Sequence, residues 1–316
     1  MKFKNVAVVM GGCSNEREVS LRSGAAIAKA LRETGRGVSE VDLRDLCELR
    51  FDKGVQGVFL ALHGGDGENG VVQGLLDAMG MPYTGSGAES SRLCMDKIAS
   101  KRVFDAKGIP TPKWEVVFVS DDAVGSPCRR GGAQAPCGLR ALPLVVKPPR
   151  EGSSVGIARV DRAEDFAEAA RKAGKFDEAG EVLVEAYIPG REWTVSVLGR
   201  RALPVVEIAA RGDWYDYSAK YDPTSGTRYV FPEESDLTKR CQKIALEVFD
   251  ALGCRGLGRV DFRITDAGEP FVLEMNTLPG FTATSLLPKA AAAAGMSFAE
   301  ACAEVMELAA FDAGRD

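Results

Sequence analysis

The sequence predicts an α/β protein of two or three domains whose first domain carries a parallel sheet. Three observations support this. Apolar runs alternate with segments of helical spacing through residues 6–79. A Gly-Ile-Pro-Thr-Pro break at 108–112 then changes the pattern to strands in close succession. The final third closes on two strands that read as a hairpin, followed by two helices. A chain of 316 residues holds two or three domains at roughly 150 residues each.

Residues 6–10 are a short apolar strand ending in Gly11-Gly12. Residues 20–34 set Leu21, Ala25, Ala28 and Leu31 at helical spacing, closed by Gly35. Strands follow over 38–43 and 55–62, the second running into His63-Gly64-Gly65, and a helix over 71–79 stops at Gly80 with Pro82 beyond. Such alternation implies a parallel sheet covered on both faces, with ligands at the carboxyl ends of its strands, where both glycine turns sit. One helix is expected over 90–107. Beyond the break come strands over 114–119, 144–147, 155–160, 182–187, 193–198 and 203–208, with one helix over 163–173. Residues 121–139, rich in Gly, Pro, Cys and Arg, read as an irregular insertion. A polar loop (211–229), a helix (236–252), strands over 257–264 and 271–275 and two terminal helices complete the chain.

Composition narrows the function. A net charge of −5 and a pI near 5.3 leave no basic excess to displace counterions, so nucleic acid is not expected as a partner. His63 is the single histidine, which excludes zinc sites built from two or more imidazoles. Eight scattered cysteines without a CxxC pair read as reduced thiols, and no apolar run is long enough to span a membrane, so a cytoplasmic location is expected. Neither GxxxxGK[ST] nor GxGxxG occurs.

Three segments could carry chemistry. In Leu257-Gly258-Arg259-Val260-Asp261-Phe262 strand alternation sets Arg259 and Asp261 on one face, and in Phe271–Asn276 it sets Glu274 and Asn276 opposite Phe271, Leu273 and Met275. Paired through a turn at Asp266-Ala267-Gly268, these strands would gather two carboxylates, an amide and a guanidinium. Hard oxygen donors of this kind suit Mg2+; a solvated face of Arg–Asp pairs is the alternative. Lys147 opens a Gly/Ser loop (147–156) that fits either a phosphate cradle or a plain hairpin turn. Glu16 and Glu18 follow Gly11-Gly12 at a helix start, serving either the helix dipole or a substrate ammonium, and His63 divides between turn residue and ligand contact in the same way.

Taken in order, the segments resemble the D-alanine–D-alanine ligase family of the ATP-grasp superfamily over essentially the whole chain. The resemblance rests on Gly11-Gly12 with Glu16-Arg17-Glu18-Val19-Ser20, Ala61-Leu62-His63-Gly64 with Gly67-Glu68, Pro82–Gly87, Met95-Asp96-Lys97 and the 147–156 loop. It continues through Tyr215-Asp216-Tyr217, Ala219-Lys220-Tyr221, Gly258–Asp261 and Glu274–Thr277 with Pro279-Gly280. Asn69 departs from the family's usual aspartate, and 121–141 has no motif match.

The resemblance implies an ATP-grasp fold in three parts. These are an N-terminal parallel (Rossmann-like) domain over 1–94, a central ATP-grasp subdomain over 95–190, and a C-terminal ATP-grasp domain over 191–316 with an ω-like loop. It implies a ligase that consumes ATP with two Mg2+ ions (Mn2+ as a substitute) to make D-alanyl-D-alanine for peptidoglycan precursors, working as a homodimer. Lys97, Lys147, Ser153, Ser154 and Lys220 would meet ATP phosphates; Glu185, Tyr187 and Ile188 would frame adenine, and Glu192 the ribose. Asp261, Glu274 and Asn276 would hold the metal. Glu16, with Ser20 and His63, would take the ammonium of the first D-alanine. Arg259, Gly280, Ser285 and Leu286 would line the second subsite and the oxyanion, and Glu16, Ser153 and Tyr221 would tie the mobile loop to the first. Tyr221 favours an amine acceptor; a ligase for D-lactate or D-serine, or an inactive nucleotide-binding module, are the competing readings.

Overall fold

Unbroken apolar runs such as Val6-Ala7-Val8-Val9-Met10 need burial on both faces, and the first sheet supplies it. The computed structural model describes residues 1–120, 123–125, 141–152, 154–209 and 226–312. Strands β1 (Asn5–Gly11), β2 (Gly37–Leu43) and β3 (Gly57–Leu60) form a parallel sheet in the order β2-β1-β3. Val6, Val8 and Met10 join one core with Ile27 and Leu31 of α1 (Arg17–Glu33). Ala7 and Val9 join another with Val72 and Leu76 of α2 (Val71–Ala78).

The helix expected over 90–107 is instead two, α3 (Ala88–Met95) and α4 (Lys97–Lys107). Asp96 breaks it: its backbone is extended and its carboxylate accepts from the Ala99 N–H at 2.9 Å, starting α4 afresh.

The second sheet is antiparallel, ordered β5-β4-β8-β6-β7, from β4 (Trp114–Ser120), β5 (Ala123–Gly125), β6 (Leu144–Lys147), β7 (Ala158–Val160) and β8 (Glu181–Ala186). Helix α5 (Phe166–Gly174) packs Phe166, Ala170 and Ala173 on it. β5 corrects the sequence reading, which left these residues inside an irregular insertion; three residues pairing with β4 are too few to show a period.

The third sheet runs β12-β11-β9-β13-β14, with β10 paired to β9. Its strands are β9 (Arg191–Leu198), β10 (Arg201–Ala202), β11 (Val206–Ala209), β12 (Arg228–Val230), β13 (Leu257–Ile264) and β14 (Pro270–Asn276). The strand expected over 203–208 starts only at Val206, beyond Pro204, which has no N–H for a ladder. β12 begins inside the expected polar loop (211–229) and runs one residue past its end. Helix α6 (Asp236–Ala251) opens with a capping box between Ser235 and Thr238. It buries Cys241, Ile244, Ala245 and Val248 against Trp193, Val195, Val260 and Phe262.

β13 and β14 pair antiparallel as expected, with Asp261 opposite Glu274 and Arg259 opposite Asn276. A bulge follows at once, since Phe262 faces Val272 and Leu273 becomes the extra residue. It corrects the expected alternation: Val272 and Met275 enter the core, while Leu273 and Glu274 both reach the cleft.

Helices α7 (Leu286–Ala293) and α8 (Phe298–Glu307) return to the first sheet. Leu287, Ala301, Val305 and Met306 complete the core of Val6, Val8 and Ile27. Tyr83 and Ala310 exchange backbone hydrogen bonds of 2.9 and 3.1 Å, and Arg36 pairs with Glu307 at 2.5 Å.

Candidate active site

Two antiparallel sheets face each other across a cleft. β6 and β8 supply one wall through Lys147 and Glu185, and β13 and β14 supply the other through Arg259, Asp261, Glu274 and Asn276. Ser154, Tyr187, Ile188, Glu192 and Leu286 line the same space. Most of the residues that the resemblance assigns to nucleotide and metal therefore share one cleft.

Lys147 ends β6, so its side chain leaves the sheet beside Glu185, 2.7 Å away. Glu185 also meets Lys101 at 2.5 Å. Burial pushes the Glu185 carboxyl up, but Lys101 and Lys147 outweigh it and hold it below its usual range. Burial holds Lys101 below the usual lysine range. Its ammonium donates to the Thr111 hydroxyl at 2.6 Å. Lys97 opens α4 and donates to the Glu151 carbonyl at 2.6 Å while facing Glu274 at 3.4 Å. The loop from Lys147 is both a hairpin connection between β6 and β7 and part of the cleft wall. Within it Ser154 takes a left-handed φ of 61°, uncommon for a residue with a side chain.

On the opposite wall Arg259 grips Asp261 through two hydrogen bonds of 2.8 and 2.7 Å. The Thr194 hydroxyl donates to Asp261 at 2.7 Å, and the Asn276 amide donates to Asp261 at 3.0 Å. A solvated face is thereby excluded, since Arg259 and Asp261 are only 9% and 8% exposed. Nearby, burial together with the charges of Asp261 and Glu274 pushes the Glu192 carboxyl up to about 7. Asp261 and Glu274, with the Asn276 amide beside them, offer the hard oxygen donors that fit a divalent cation. Among the described residues no three His, Cys, Asp or Glu side chains form a group that could hold a metal ion.

A second hollow adjoins the first and shares Arg259, Asn276 and Leu286 with it. Glu16, His63, Gly280 and Ser285 also line it, so the first sheet's carboxyl end faces β14 and the start of α7. His63 is buried, with Nε2 3.1 Å from the Ser23 hydroxyl and Nδ1 3.9 Å from Glu68. The Ser285 hydroxyl accepts from the Thr282 N–H at 3.0 Å. Ser20 stands apart: it is fully buried, accepting from Gly11 N–H at 2.8 Å and donating to the Ala61 carbonyl at 2.7 Å. Ser153, Lys220 and Tyr221 lie outside the described residues.

Sequence reasoning passed over Lys101, Thr194, Arg150 and Arg263. Two of them carried a signal. Lys101 is one helical turn after Lys97, and Arg263 continues the alternation that set Arg259 and Asp261 on one face. Arg150 reaches Asp96, Asp177 and Glu181 at once, a convergence that only the tertiary fold creates.

Comparison with known proteins agrees with this geometry. The family profile "D-ala D-ala ligase C-terminus" matches residues 103–307, and "D-ala D-ala ligase N-terminus" matches 42–86. A D-alanine--D-alanine ligase of Syntrophotalea carbinolica is 46% identical over 304 residues, covering 95% of this chain and 94% of the relative. That of Bordetella avium is 44% identical over 313 residues, covering 96% and 94%. Among solved structures, the Bacillus anthracis D-alanine--D-alanine ligase complexed with ATP superposes with a TM-score of 0.82 at 32% identity, covering 96% of this chain and 97% of that one. The VanG D-Ala:D-Ser ligase of Enterococcus faecalis gives 0.81 at 28% identity, covering 96% and 99%. A parallel sheet followed by two antiparallel sheets gripping a cleft is thus the ATP-grasp arrangement, and the chain belongs to the D-alanine–D-alanine ligase family.

Proposed function

We propose that this chain joins two D-alanines into D-alanyl-D-alanine at the expense of ATP, supplying peptidoglycan precursors in the cytoplasm, and that it works as a homodimer. The observation that carries the reading is the meeting of two hollows at Arg259, Asn276 and Leu286: one has Lys147, with Lys97 3.4 Å from its Glu274, for a triphosphate, and the other has the Glu16 carboxylate for an ammonium. The curated relatives bear the ligase name, and one solved relative is complexed with ATP.

Joining a carboxylate to an amine is uphill, so the first D-alanine carboxylate attacks the γ-phosphorus of ATP and becomes an acyl phosphate as the bond to the β-phosphate breaks and ADP leaves. Lys97 and Lys147 hold the phosphates in line, which is most of what phosphoryl transfer asks of a protein. Asp261, Glu274 and Asn276 are the residues that would hold Mg2+, whose charge neutralises the transferring phosphoryl group. Glu16, beside His63, takes the first ammonium. The second D-alanine amine then attacks the acyl carbon and phosphate leaves. Arg259 and the Gly280 N–H stabilise the tetrahedral oxyanion, with Ser285 and Leu286 closing that subsite. The 1–94, 95–190 and 191–316 segments serve as the first-subsite, nucleotide and metal-bearing parts.

The test is phosphate release from ATP and Mg2+ with D-alanine, D-serine or D-lactate offered singly and in competition as acceptor. We expect D-alanine-dependent release, D-alanine preferred, and losses on the order of a hundredfold or more in Glu274→Ala and Arg259→Ala. Turnover preserved in both variants would overturn the site assignment; a preference for D-serine or D-lactate would overturn the acceptor.

A further inference from the structure

The turn between β8 and β9 carries Tyr187 and Ile188 into the cleft, and one side chain, which itself lines the cleft, holds that turn from the β13 side. Arg263, on β13, donates from Nε to the Ile188 carbonyl at 3.0 Å and from Nη2 to the Gly190 carbonyl at 2.8 Å. The same Nη2 lies 3.2 Å from the Tyr187 hydroxyl, and Nη1 lies 3.6 Å from Glu192. Its guanidinium also packs against the Tyr187 ring at 5.4 Å from the centroid, as does that of Arg159 at 4.3 Å. Gly190 makes the approach feasible: at φ 125° it brings the turn so close to β13 that a Cβ there would lie 2.0 Å from the Ile264 carbonyl oxygen.

We infer that Arg263 is a positioning residue for the nucleoside end of the nucleotide: it fixes the 187–192 turn in the shape that receives the base and ribose. The inference rests on the proposed nucleotide function of the cleft. Four of its partners lie in one six-residue segment, so a single guanidinium sets the turn's carbonyls, its aromatic ring and its carboxylate together. A planar fork can bridge two carbonyls in fixed directions; a lysine ammonium cannot reproduce both. The lysines proposed for the phosphates have other partners: Lys97 meets the Glu151 carbonyl and Glu274, and Lys147 meets Glu185. Arg263 therefore acts on nucleoside recognition and leaves phosphate recognition alone.

Arg263→Met, which keeps the stem against Tyr187, and Arg263→Lys, which keeps the charge near Glu192, separate these contributions. Each is compared with the wild type in steady-state kinetics and in calorimetric binding of ATP and of inorganic triphosphate. We expect the KM and Kd for ATP to rise about tenfold in Arg263→Met and less in Arg263→Lys. Triphosphate affinity, the KM for D-alanine and kcat should each stay within about threefold of wild type. If Arg263→Met yields too little folded protein, Arg263→Lys alone carries the same split between ATP and triphosphate. Wild-type affinity for ATP in the folded variants, or an equal loss for ATP and triphosphate, would overturn this inference while leaving the ligase reading intact. A wild-type chain that bound no ATP would overturn both.

Discussion

Glu192 lines the cleft with its carboxyl pushed up to about 7 by burial and by Asp261 and Glu274, against 4.5 for an ordinary glutamate. The folded chain thus binds this proton more tightly than the unfolded one. The resulting stability is complete below about pH 4.5 and is lost as pH rises through about 7. Glu192→Gln should match the wild type in thermal unfolding near about pH 4.5 and melt higher at about pH 8. Equal melting at the higher pH would show that Arg263 already neutralises the carboxylate. At this scale the sequence was informative wherever strand alternation holds: Arg259, Asp261, Glu274 and Asn276 could be grouped before any coordinates. Lys101 could not. A lysine on a helix reads as solvated until Glu185, far along the chain, is known to lie against it.

Elements followed their patterns where the pattern was long. Helix α6 and strands β6 and β13 stand where periodicity put them, because a dozen-residue apolar stripe or a four-residue buried run has few alternatives. Breaks were harder to read, since a cap and a helix interior differ by one side-chain hydrogen bond. Asp96 is such a case, and it has two duties. It caps α4 and accepts from Arg150 Nε at 2.9 Å, while the Lys97 N–H donates to the Pro149 carbonyl, also at 2.9 Å. The start of α4 and the stem of the Gly/Ser loop are thereby clasped to each other. Asp96→Ala should lower urea stability by about 1–2 kcal/mol through the cap. It should also weaken ATP binding through Lys97. A stability loss with an unchanged KM for ATP would assign Asp96 to the cap alone. The bulge at Leu273 is the other break that periodicity missed, because a ladder slips by one residue only once its partner strand is in place.

At the scale of the whole molecule, three sheets share their boundaries unevenly. The first sheet's core is finished by α7 and α8, the last described helices of the chain. No local pattern reveals this, since an amphipathic helix does not declare which sheet it will cover. Removing residues 296–316 should therefore unfold the first sheet, although none of its strands is touched. A truncated chain with native near-ultraviolet dichroism and cooperative unfolding would contradict this. Domains usually fold in the order in which the ribosome makes them. Here Val6, Val8 and Ile27 are synthesised early, yet they wait for Val305 and Met306 to close over them. During translation the opening strands must stay unaggregated with an apolar face that α1 covers only in part, so the nascent chain is a natural client for a chaperone until residues 301–306 have been made.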